Sequence, residues 1–556
     1  MGIYLNSKSP FGQFLDEAAS TYFIDKSKMI EELIPITEHS LPPIQQMKPE
    51  KGKGNKYICI TRPRRFGKTM MACMVASFFG KGIDSKAVFG RLEISAHQDF
   101  ERHINQHNVI YISLNKMPKG CTNYQRYIDR IQTTLREDLK REYPDTKINE
   151  DDAIWDILGA LYEMEDARFI FVLDEWDYIF HRNFVTDNDK AAYIDFLSNL
   201  LKGAAYVELA YMTGILPIAK YSSGSELNMF FEYTMATRER YSEYFGFTDS
   251  EVDELYQRYL AVTPVPHITR EGLKHWYDGY QTISGKRLYN PRSVVGALSD
   301  NQLGSYWTSS GPYDEIFYYI NHNVDDVRDD LALMISGIPV QANVQEYAAV
   351  SMRLTTKDEI FSAMVVYGFL SYGNGKVSIP NKELMDRFVE MMYKEPSLGY
   401  VHRLSQASRR MLAATKSGDT QTMLEILEYA HNTESPLLDY NHETELAAVV
   451  NLVYLAARDT YRVEREDKAG IGYVDFIFYP YDRADDCIIL ELKVDETPEY
   501  AIQQIKQRKY ALRFLGRLAK EPPYTGRILA VGIAYDKKSK KHDCRVEVLG
   551  CIEEMN

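Results

Sequence analysis

Short apolar runs alternate with turns and helical stretches from about residue 57 to residue 217, which predicts a parallel α/β sheet. Each run is short and apolar enough to be a strand that is buried on both faces. The predicted strands cover residues 57–60, 109–112, 169–173 and 208–212.

The pattern changes beyond this sheet. From about residue 233 to residue 333 it is mainly helical, which predicts a helical lid region. Residues 360–369 are expected to form a helix, followed by a hairpin around the turn 373–375, as in a winged-helix-like unit. A helix from about residue 443 opens a second α/β pattern. We therefore predict four parts, covering residues 1–232, 233–340, 341–422 and 423–556.

Composition and charge narrow the class of protein. The chain has 556 residues, of which 45% are hydrophobic and 26% are charged, so a folded multi-domain protein is expected. Its formal net charge of -14 argues against a protein that coats nucleic acid by bulk attraction. Any nucleic-acid site must therefore be local.

Cysteine spacing and the N-terminal pattern predict a cytoplasmic location. The six cysteines show no C-x-x-C spacing, which disfavours a zinc cluster and a disulfide scaffold. Residues 1–10 lack a basic start followed by an apolar core, and no stretch approaches the roughly 20 apolar residues of a membrane helix. We therefore expect neither export nor a membrane partner.

A P-loop-like turn follows the first predicted strand, with the sequence Arg-Pro-Arg-Arg-Phe-Gly-Lys-Thr at residues 62–69. A P-loop needs backbone N–H groups that face phosphate oxygens, a Lys that reaches the β- and γ-phosphates, and a hydroxyl for Mg²⁺. Arg62 stands where the first glycine is usual, and a chance match at a strand-turn-helix junction is the alternative interpretation. The candidate nucleotide-binding residues of the turn are Arg65, Phe66, Gly67, Lys68 and Thr69.

A second motif supports nucleotide binding, because the strand at residues 169–173 ends in Asp174 and Glu175. Asp174 is expected to hold Mg²⁺ together with Thr69, and Glu175 to polarise the attacking water. Thr213, after the next strand, is a candidate sensor of the γ-phosphate or a strand cap. The two motifs in this order predict that ATP and Mg²⁺ bind here.

Two arginines that follow the fourth strand carry a weaker signal. Arg238 and Arg240 are either arginine fingers or part of a solvated helical face. Sequence does not choose between these interpretations.

The last part contains a pattern typical of a metal-dependent nuclease. Residues 470–478 and 487–493 predict two strands of a hairpin, and Glu491 and Lys493 are two apart and so point to the same side. Asp475 and Glu491 would bind Mg²⁺, while Lys493 would position or help deprotonate the attacking water. A structural salt bridge is the alternative, but such a trio would cost several kcal/mol if it were buried unpaired among apolar residues.

The end of the chain is locally basic. Its cluster could neutralise phosphates, although a solvated helix face explains it equally well. The basic residues are Lys506, Arg508, Lys509, Arg513, Arg517, Lys537, Lys538, Lys540 and Lys541.

With both motifs in view, the chain resembles a bacterial family that joins an AAA-ATPase-like domain to a C-terminal PD-(D/E)XK nuclease-superfamily domain. The resemblance extends over nearly the full length. It rests on residues 22–26, 62–69, 172–175, 213–215, 244–248, 289–291 and 379–381 and on the trio Asp475, Glu491 and Lys493.

The resemblance implies a fold and a division of labour. It implies an α/β P-loop NTPase parallel sheet in residues 1–232, followed by the helical lid at 233–340 and the winged-helix-like region at 341–422. Residues 423–556 would form an α/β restriction-endonuclease-like domain.

The resemblance also assigns further residues. It makes Arg62 a family trait and Glu443 the first acidic residue of the nuclease site, with Glu445 as a competitor. Gln504 and Tyr510 would belong to a later helix motif of that site. One departure is Tyr473, which stands where family members tend to have a basic residue, and we expect it to weaken a phosphate contact and so alter the nuclease without affecting the metal ligands.

These expectations combine into an ATP-regulated, Mg²⁺-dependent nuclease that has both ATPase and nuclease activity. DNA is favoured over RNA as the nucleic acid, and a homo-oligomer is a candidate assembly. One alternative is cleavage without ATP, with a P-loop domain that only assembles oligomers. The other is an ATP-dependent signalling switch whose nuclease-like domain binds nucleic acid or protein without cleavage.

Overall fold

The computed structural model describes residues 2–37, 55–218, 226–236, 238–307, 320–321, 323–344, 354, 356–432, 443–469, 472–515 and 524–551. Contacts divide the chain into two compact units. The first comprises Met1–Pro312, Ala342–Leu354 and Asp358–Glu383, and the second comprises Tyr313–Gln341, Thr355–Lys357 and Leu384–Asn556. The four-part division stays a prediction, because units defined by contacts do not mark boundaries inside each unit.

Helices and strands alternate over most of the described chain. The strands are, in chain order, β1 Tyr57–Thr61, β2 Asn108–Ser113, β3 Phe169–Asp174, β4 Val207–Gly214, β5 Phe231–Tyr233, β6 Asp278–Gln281, β7 Arg287–Tyr289, β8 Val340–Gln341, β9 Ser371–Gly373, β10 Lys376–Ser378, β11 Tyr461–Ala469, β12 Gly472–Pro480, β13 Cys487–Val494, β14 Arg527–Asp536 and β15 Lys541–Cys551. The helices are, in chain order, α1 Ser9–Ala18, α2 Lys28–Glu31, α3 Ile34–Thr37, α4 Lys68–Phe79, α5 Lys86–Phe89, α6 Phe100–His103, α7 Tyr124–Glu142, α8 Ile154–Glu165, α9 Asp187–Leu201, α10 Asp249–Val262, α11 Arg270–Tyr277, α12 Pro291–Asp300, α13 Val324–Ile335, α14 Lys357–Tyr367, α15 Lys382–Lys394, α16 Tyr400–Ser417, α17 Thr420–Asn432, α18 Glu443–Val453 and α19 Pro498–Gln507.

The first unit contains a parallel sheet of five strands in the order β2-β3-β4-β1-β5. The four strands expected from the apolar runs are present, so the predicted parallel α/β sheet is confirmed. β5 has no counterpart among the predicted strands. It is three residues long and its Phe231 side chain is 46% exposed, so it leaves no apolar run in the sequence.

Both faces of this sheet are buried, as its continuous apolar strands require. Cys59 and Phe171 pack into one apolar cluster, whereas their neighbours Ile58 and Val172 pack into another. Every residue of β1, β3 and β4 is buried. Because these three strands are parallel neighbours, their carboxyl ends meet at one edge of the sheet.

The helical region predicted after residue 233 is present in the first unit. It contains α10, α11 and α12, with the hairpin β6–β7 between α11 and α12. Thr248 starts α10 in a capping box with Glu251, and Asn290 caps α12 ahead of Pro291. These caps explain where the helices begin.

A helix followed by a hairpin is present at residues 357–378, as the winged-helix-like pattern predicts. α14 precedes the antiparallel strands β9 and β10. Their turn holds Asn374 at φ 53° and Gly375 at φ 75°, both in the left-handed region that a two-residue hairpin turn favours.

The second unit contains a mixed sheet of five strands in the order β11-β12-β13-β14-β15. Neighbouring strands are antiparallel except β13 and β14, which are parallel. The predicted hairpin of β12 and β13 is confirmed. α19 packs Ile502 and Ile505 against Ile489 and Ala530, so a helix covers one face of this sheet. This is the α/β architecture expected for the last part of the chain.

The described residues were compared with the requirements for a membrane-spanning helix and for disulfide bonds. Within the described ranges, no helix combines the length and the apolar character that crossing a membrane requires. The cysteines whose side chains are described, Cys59, Cys73, Cys121, Cys487 and Cys544, are free.

Candidate functional site

The P-loop-like turn connects β1 to α4, as the sequence predicts. Gly67 caps α4 at φ 85°, and Arg65 also has a positive φ of 71°. Glycine is favoured at such a φ because it lacks a Cβ. The first N–H groups of α4 have no partner within the helix and are suited to bind phosphate oxygens.

Lys68 is buried at the first position of α4. Its Nζ donates hydrogen bonds to the carbonyl oxygens of Arg62, at 2.9 Å, and Pro63, at 2.8 Å. Burial lowers the pKa of Lys68 to about 8, while the carboxylates of Asp177 and Asp174 raise it. Phosphate oxygens are stronger acceptors than peptide carbonyls, so a bound nucleotide can take over these bonds.

Asp174, at the end of β3, is fully buried beside Thr69 and Thr213. The Thr213 hydroxyl donates to Asp174 Oδ1 at 2.5 Å. Burial raises the pKa of Asp174, and hydrogen bonds from Thr213 and Thr69 lower it. Its Oδ2 has no hydrogen-bond partner among the described residues. A buried carboxylate with a free oxygen beside a threonine hydroxyl fits a Mg²⁺ ion.

Glu175 follows directly at φ 56° and is half-buried. Burial and the charge of Asp174 raise its pKa, and a hydrogen bond to the Asn115 side chain lowers it. Sequence analysis missed Asn115. The sequence signal for Asn115 was its place just after β2. Ser113, the last residue of β2, pairs with Asp174 in the sheet, so residues that follow β2 lie near Glu175.

Arg62 stands where a P-loop usually has its first glycine, and its contacts give it a structural role there. Its side chain is 1% exposed, and its Nη1 donates to the carbonyl oxygens of Thr61, at 2.8 Å, and Tyr233, at 2.6 Å. The guanidinium lies 5.2 Å from the centre of the Phe245 ring. Burial lowers its pKa to about 10. Arg62 therefore ties the start of the loop to the end of β5.

Arg64 and Arg65 of the loop lie near a third arginine, Arg292. Burial lowers the pKa of Arg65, and the charges of Arg292 and Arg64 lower it further. Arg292 comes from α12, so the structure brings the lid region to the P-loop. Sequence analysis missed Arg292, although it follows the matching stretch 289–291.

The other two candidate arginines lie against aromatic rings. Arg238 lies over the rings of Phe231 and Tyr233, and Arg240 over Tyr241. An arginine-finger role for either residue stays a prediction.

The second site lies on β12 and β13. Asp475 Oδ2 accepts a hydrogen bond from the backbone N–H of Leu492 at 2.7 Å, and Lys493 Nζ lies 3.3 Å from Glu491 Oε1. Both Glu491 and Lys493 are buried. Burial, and then the charge of Asp475, raise the pKa of Glu491 to about 7. The hairpin thus brings the three predicted residues together.

α19 adds Gln504 to this site. The Gln504 side-chain amide donates to Glu491 Oε1, as the resemblance implies for a later helix motif. Arg508 Nη1 donates to the hydroxyl of the buried Tyr510 at 3.0 Å. Glu491 Oε2 is without a hydrogen-bond partner in the described part of the chain. The site therefore offers an unused carboxylate oxygen next to Asp475.

Two parts of the chain match known families. Residues 44–223 match the family described as Predicted AAA-ATPase, and residues 442–543 match the PD-(D/E)XK nuclease superfamily. The chain joins an AAA-ATPase-like domain to a PD-(D/E)XK nuclease-superfamily domain. The resemblance drawn from the motifs is confirmed for both domains, while a bacterial origin stays a prediction. A comparison with curated proteins found no match.

Solved structures give weaker similarities. A Walker-type ATPase of Pyrococcus abyssi is 11% identical, with 60% of this chain and 91% of that chain covered and a TM-score of 0.32. The ORC2 protein of Aeropyrum pernix, in ADPNP–ADP complexes, is 10% identical over 64% of this chain and 96% of that chain, with a TM-score of 0.31. A signal transduction ATPase with numerous domains from Pyrococcus horikoshii is 12% identical over 72% of this chain and 50% of that chain, with a TM-score of 0.20. These scores are low, so they carry no conclusion about this chain.

The predicted roles of three residues of the nuclease-superfamily domain stay predictions. α18 begins at Glu443, but the side chains of Glu443, Glu445 and Tyr473 lie outside the described residues. Among the side chains that are described, no group of three or more His, Cys, Asp or Glu residues is arranged to hold a metal ion. Asp475 and Glu491 fit Mg²⁺ as a pair, because Glu491 has a free buried oxygen.

The basic end of the nuclease-superfamily domain is partly neutralised. Lys506 pairs with Glu547 at 2.5 Å, and Lys537 pairs with Asp495 at 3.3 Å. Such exposed pairs contribute little to stability but do reduce the local positive charge. The side chains of Arg513 and Arg517 lie outside the described residues.

Proposed function

We propose that the chain is an ATP-binding, Mg²⁺-dependent nuclease that acts on DNA and is regulated by the nucleotide. The observation that supports this most is the buried Glu491 on β13, whose Oε2 has no hydrogen-bond partner among the described residues and which lies beside Asp475 and Lys493. Lys493 offsets one of these two negative charges, and a Mg²⁺ ion would offset the other and use the free Glu491 oxygen.

The AAA-ATPase-like domain supports ATP binding. Backbone N–H groups of Arg65, Phe66 and Gly67 would face the phosphates, and Lys68 would move from its two carbonyl acceptors to phosphate oxygens. Thr69 and Asp174 would hold Mg²⁺ there.

Hydrolysis of ATP would need a positioned water. Glu175, whose pKa is raised by burial and by Asp174, would accept a proton from it. Thr213 holds Asp174 through its hydroxyl and lies beside the Glu175 backbone N–H, at 3.4 Å. It would thereby keep the acidic pair in place.

At the nuclease site, Asp475 and Glu491 would hold Mg²⁺, with Glu443 as the third proposed acidic residue. When bound, the ion would polarise the scissile phosphate and lower the pKa of a water molecule. Lys493 would orient that water, and Gln504 would hold the Glu491 carboxylate in place.

The nucleic-acid substrate, the oligomeric state and the location of the protein are also part of this proposal. DNA is proposed over RNA as the substrate. A homo-oligomer and a cytoplasmic location are further predictions.

The test is to incubate the purified protein with plasmid DNA and Mg²⁺, with and without ATP. Wild type should cut, and Lys493→Ala should not. Lys8→Ala, at an exposed lysine that belongs to neither proposed site, is the control and should cut normally. Chelation of Mg²⁺ should abolish cleavage.

Plasmid that stays intact with wild-type protein would contradict the nuclease. DNA binding without scission would then favour the ATP-dependent switch that binds without cleavage.

A further inference from the structure

The P-loop is braced by residues far along the chain that have no role in the nucleotide chemistry above. We call Tyr280, Trp307 and Gly368 the P-loop brace. The indole Nε1 of Trp307 donates to the carbonyl oxygen of Arg64 at 3.1 Å. The Tyr280 hydroxyl donates to the carbonyl oxygen of Gly368 at 2.9 Å, and the Tyr280 ring packs edge-on against Phe66 at 4.9 Å.

Gly368 completes the brace by allowing a close approach. A Cβ at this position would lie 2.6 Å from the Pro63 Cβ, and the residue has φ 85°. Only glycine avoids both the contact and the strained backbone. Phe66, Pro63 and Arg64 of the loop are therefore each backed by a distant residue of the same unit.

One buried carboxylate holds this brace in place. Glu383 is 2% exposed, and its Oε1 accepts hydrogen bonds from the backbone N–H groups of Tyr306 and Trp307, both at 2.6 Å. Its Oε2 accepts from the Ser293 hydroxyl at 2.7 Å. A carboxylate this deeply buried is retained only when it is hydrogen-bonded, and the bonds from Tyr306, Trp307 and Ser293 meet that need.

The geometry links Glu383 to the phosphate-binding backbone. In a trans peptide the C=O and the following N–H point in opposite directions. Because the Trp307 indole holds the Arg64 carbonyl, it also fixes the direction of the Arg65 N–H, one of the groups proposed to face phosphate. On its other side, Glu383 fixes Ser293, which directly follows Arg292 in α12.

We propose that Glu383 is a positioning residue of the nucleotide site, acting through Trp307 on the P-loop backbone. This inference rests on the proposed nucleotide binding. It identifies Trp307 as a reporter whose surroundings change when a nucleotide binds. The indole and the Glu383 carboxylate form one chain of contacts from α15 to the loop.

The test combines affinity and fluorescence, with Mg²⁺ and ADP as the ligand. In Trp307→Phe the ring that packs on Phe369 is kept but the N–H donor is lost. Its affinity for a fluorescent ADP analogue should fall about threefold to tenfold, the effect of one lost hydrogen bond. Glu383→Leu should show at least this loss, and Glu383→Gln, which keeps an acceptor oxygen and a hydrogen-bonding group, should restore most of the affinity.

Intrinsic fluorescence separates positioning from a general loss of structure. Binding of Mg²⁺ and ADP should change the tryptophan emission of wild type and of Trp276→Phe, a tryptophan of the same region that lies under Lys382. The change should be reduced in Trp307→Phe, which keeps Trp176 next to Glu175, and weakened in Glu383→Leu, although the latter keeps Trp307. If Glu383→Leu does not fold, Trp307→Phe and Glu383→Gln decide the question.

Wild-type affinity in Trp307→Phe, with an unchanged emission response, would overturn the inference while leaving nucleotide binding intact. Failure of folded wild-type protein to bind the ADP analogue would instead refute the nucleotide site and this inference with it.

Discussion

Glu491 is a residue whose pKa changes on folding within the range of ordinary buffers. Folding raises its pKa from 4.5 to about 7, first through burial and then through Asp475. The folded state thus keeps a proton that the unfolded state releases over this range. The associated stability is fully present below about pH 4.5 and is lost as the pH rises through about 7.

We therefore expect metal-free wild type to lose on the order of 3 kcal/mol of stability between about pH 4.5 and pH 7 at this site. Glu491→Gln cannot ionise and should lack this loss. Thermal unfolding in the presence of a chelator, measured across this range, checks the difference. Equal pH dependence in both proteins would contradict it.

The same ionisation should govern metal binding. Mg²⁺ needs the carboxylate form, so its apparent affinity should rise as the pH increases through about 7. Titration of wild type with Mg²⁺ at several pH values, followed by the thermal midpoint, measures this without relying on cleavage.

Arg62 carries a second prediction at this scale. Arg62→Gly restores the usual first glycine of a P-loop but removes the bonds to Thr61 and Tyr233 and leaves a cavity. We expect a loss of about 2–4 kcal/mol, since bonds from charged donors and buried volume are both lost. Chemical denaturation measures it.

The matched control is Arg240→Ala. That guanidinium pairs at the surface with Glu32 at 2.9 Å, so its removal should cost no more than about 1 kcal/mol. Greater stability of Arg62→Gly than of wild type would show that the arginine is not structural.

Site residues that follow a strand, or that alternate along one strand, could be predicted from their spacing in the sequence. Lys68 and Thr69 follow a strand, Asp174 ends another, and Glu491 and Lys493 share a strand face by alternation. Arg62 and Glu383 were not predictable as structural anchors, because their partners lie 171 and 76 to 90 positions away. No local pattern encodes such pairings.

At the scale of elements, the fit of α19 on β14 decides where Gln504 lies. A Cβ on Gly532 would come within 2.4 Å of the backbone oxygen of Pro498, the first residue of α19. Backbone cannot give way as a flexible side chain can. Gly532 therefore sets how closely this helix approaches the sheet.

We expect Gly532→Ala to destabilise the protein by about 1–3 kcal/mol, the usual cost of overpacking, and to lower cleavage because Gln504 moves away from Glu491. Gly159→Ala is the opposite control. Gly159 lies within α8 and a Cβ there meets nothing within 4 Å, so alanine should stabilise by about 0.5–1 kcal/mol. Thermal unfolding and the plasmid assay test both variants.

Strands with long apolar runs were the elements best predicted, because burial on both faces leaves a continuous signal. β5 escaped prediction for the opposite reason, since it is short and partly exposed. The hairpin of β9 and β10 was predictable from its Asn-Gly turn.

At the scale of the whole molecule, the two sites should be separable by mutation. Lys68→Ala should lose nucleotide binding and leave a cleavage activity that no longer responds to ATP. Lys493→Ala should hydrolyse ATP but leave plasmid intact. Parallel measurement of phosphate release and of plasmid scission distinguishes these outcomes.

Cleavage by Lys68→Ala that responds to ATP as wild type does would contradict regulation through the P-loop. Cleavage by wild type that is indifferent to ATP would favour the alternative in which the P-loop domain only assembles oligomers.

The assignment of chain segments to the two compact units was the least predictable feature at this scale. The two α/β patterns were predicted from local periodicity, whereas the assignment of residues to units depends on contacts between distant segments. Ala342–Leu354 and Asp358–Glu383 belong to the first unit although Tyr313–Gln341, before them, belongs to the second.

This interleaving has a consequence for how such a protein can be inherited. A single recombination point cannot exchange one unit for that of another gene, because the chain passes between the units more than once. A lineage that acquired a new second unit would need Tyr313–Gln341 and Thr355–Lys357 to be transferred together with Leu384–Asn556. The two units are therefore expected to diverge together within one gene, by substitution more than by recombination.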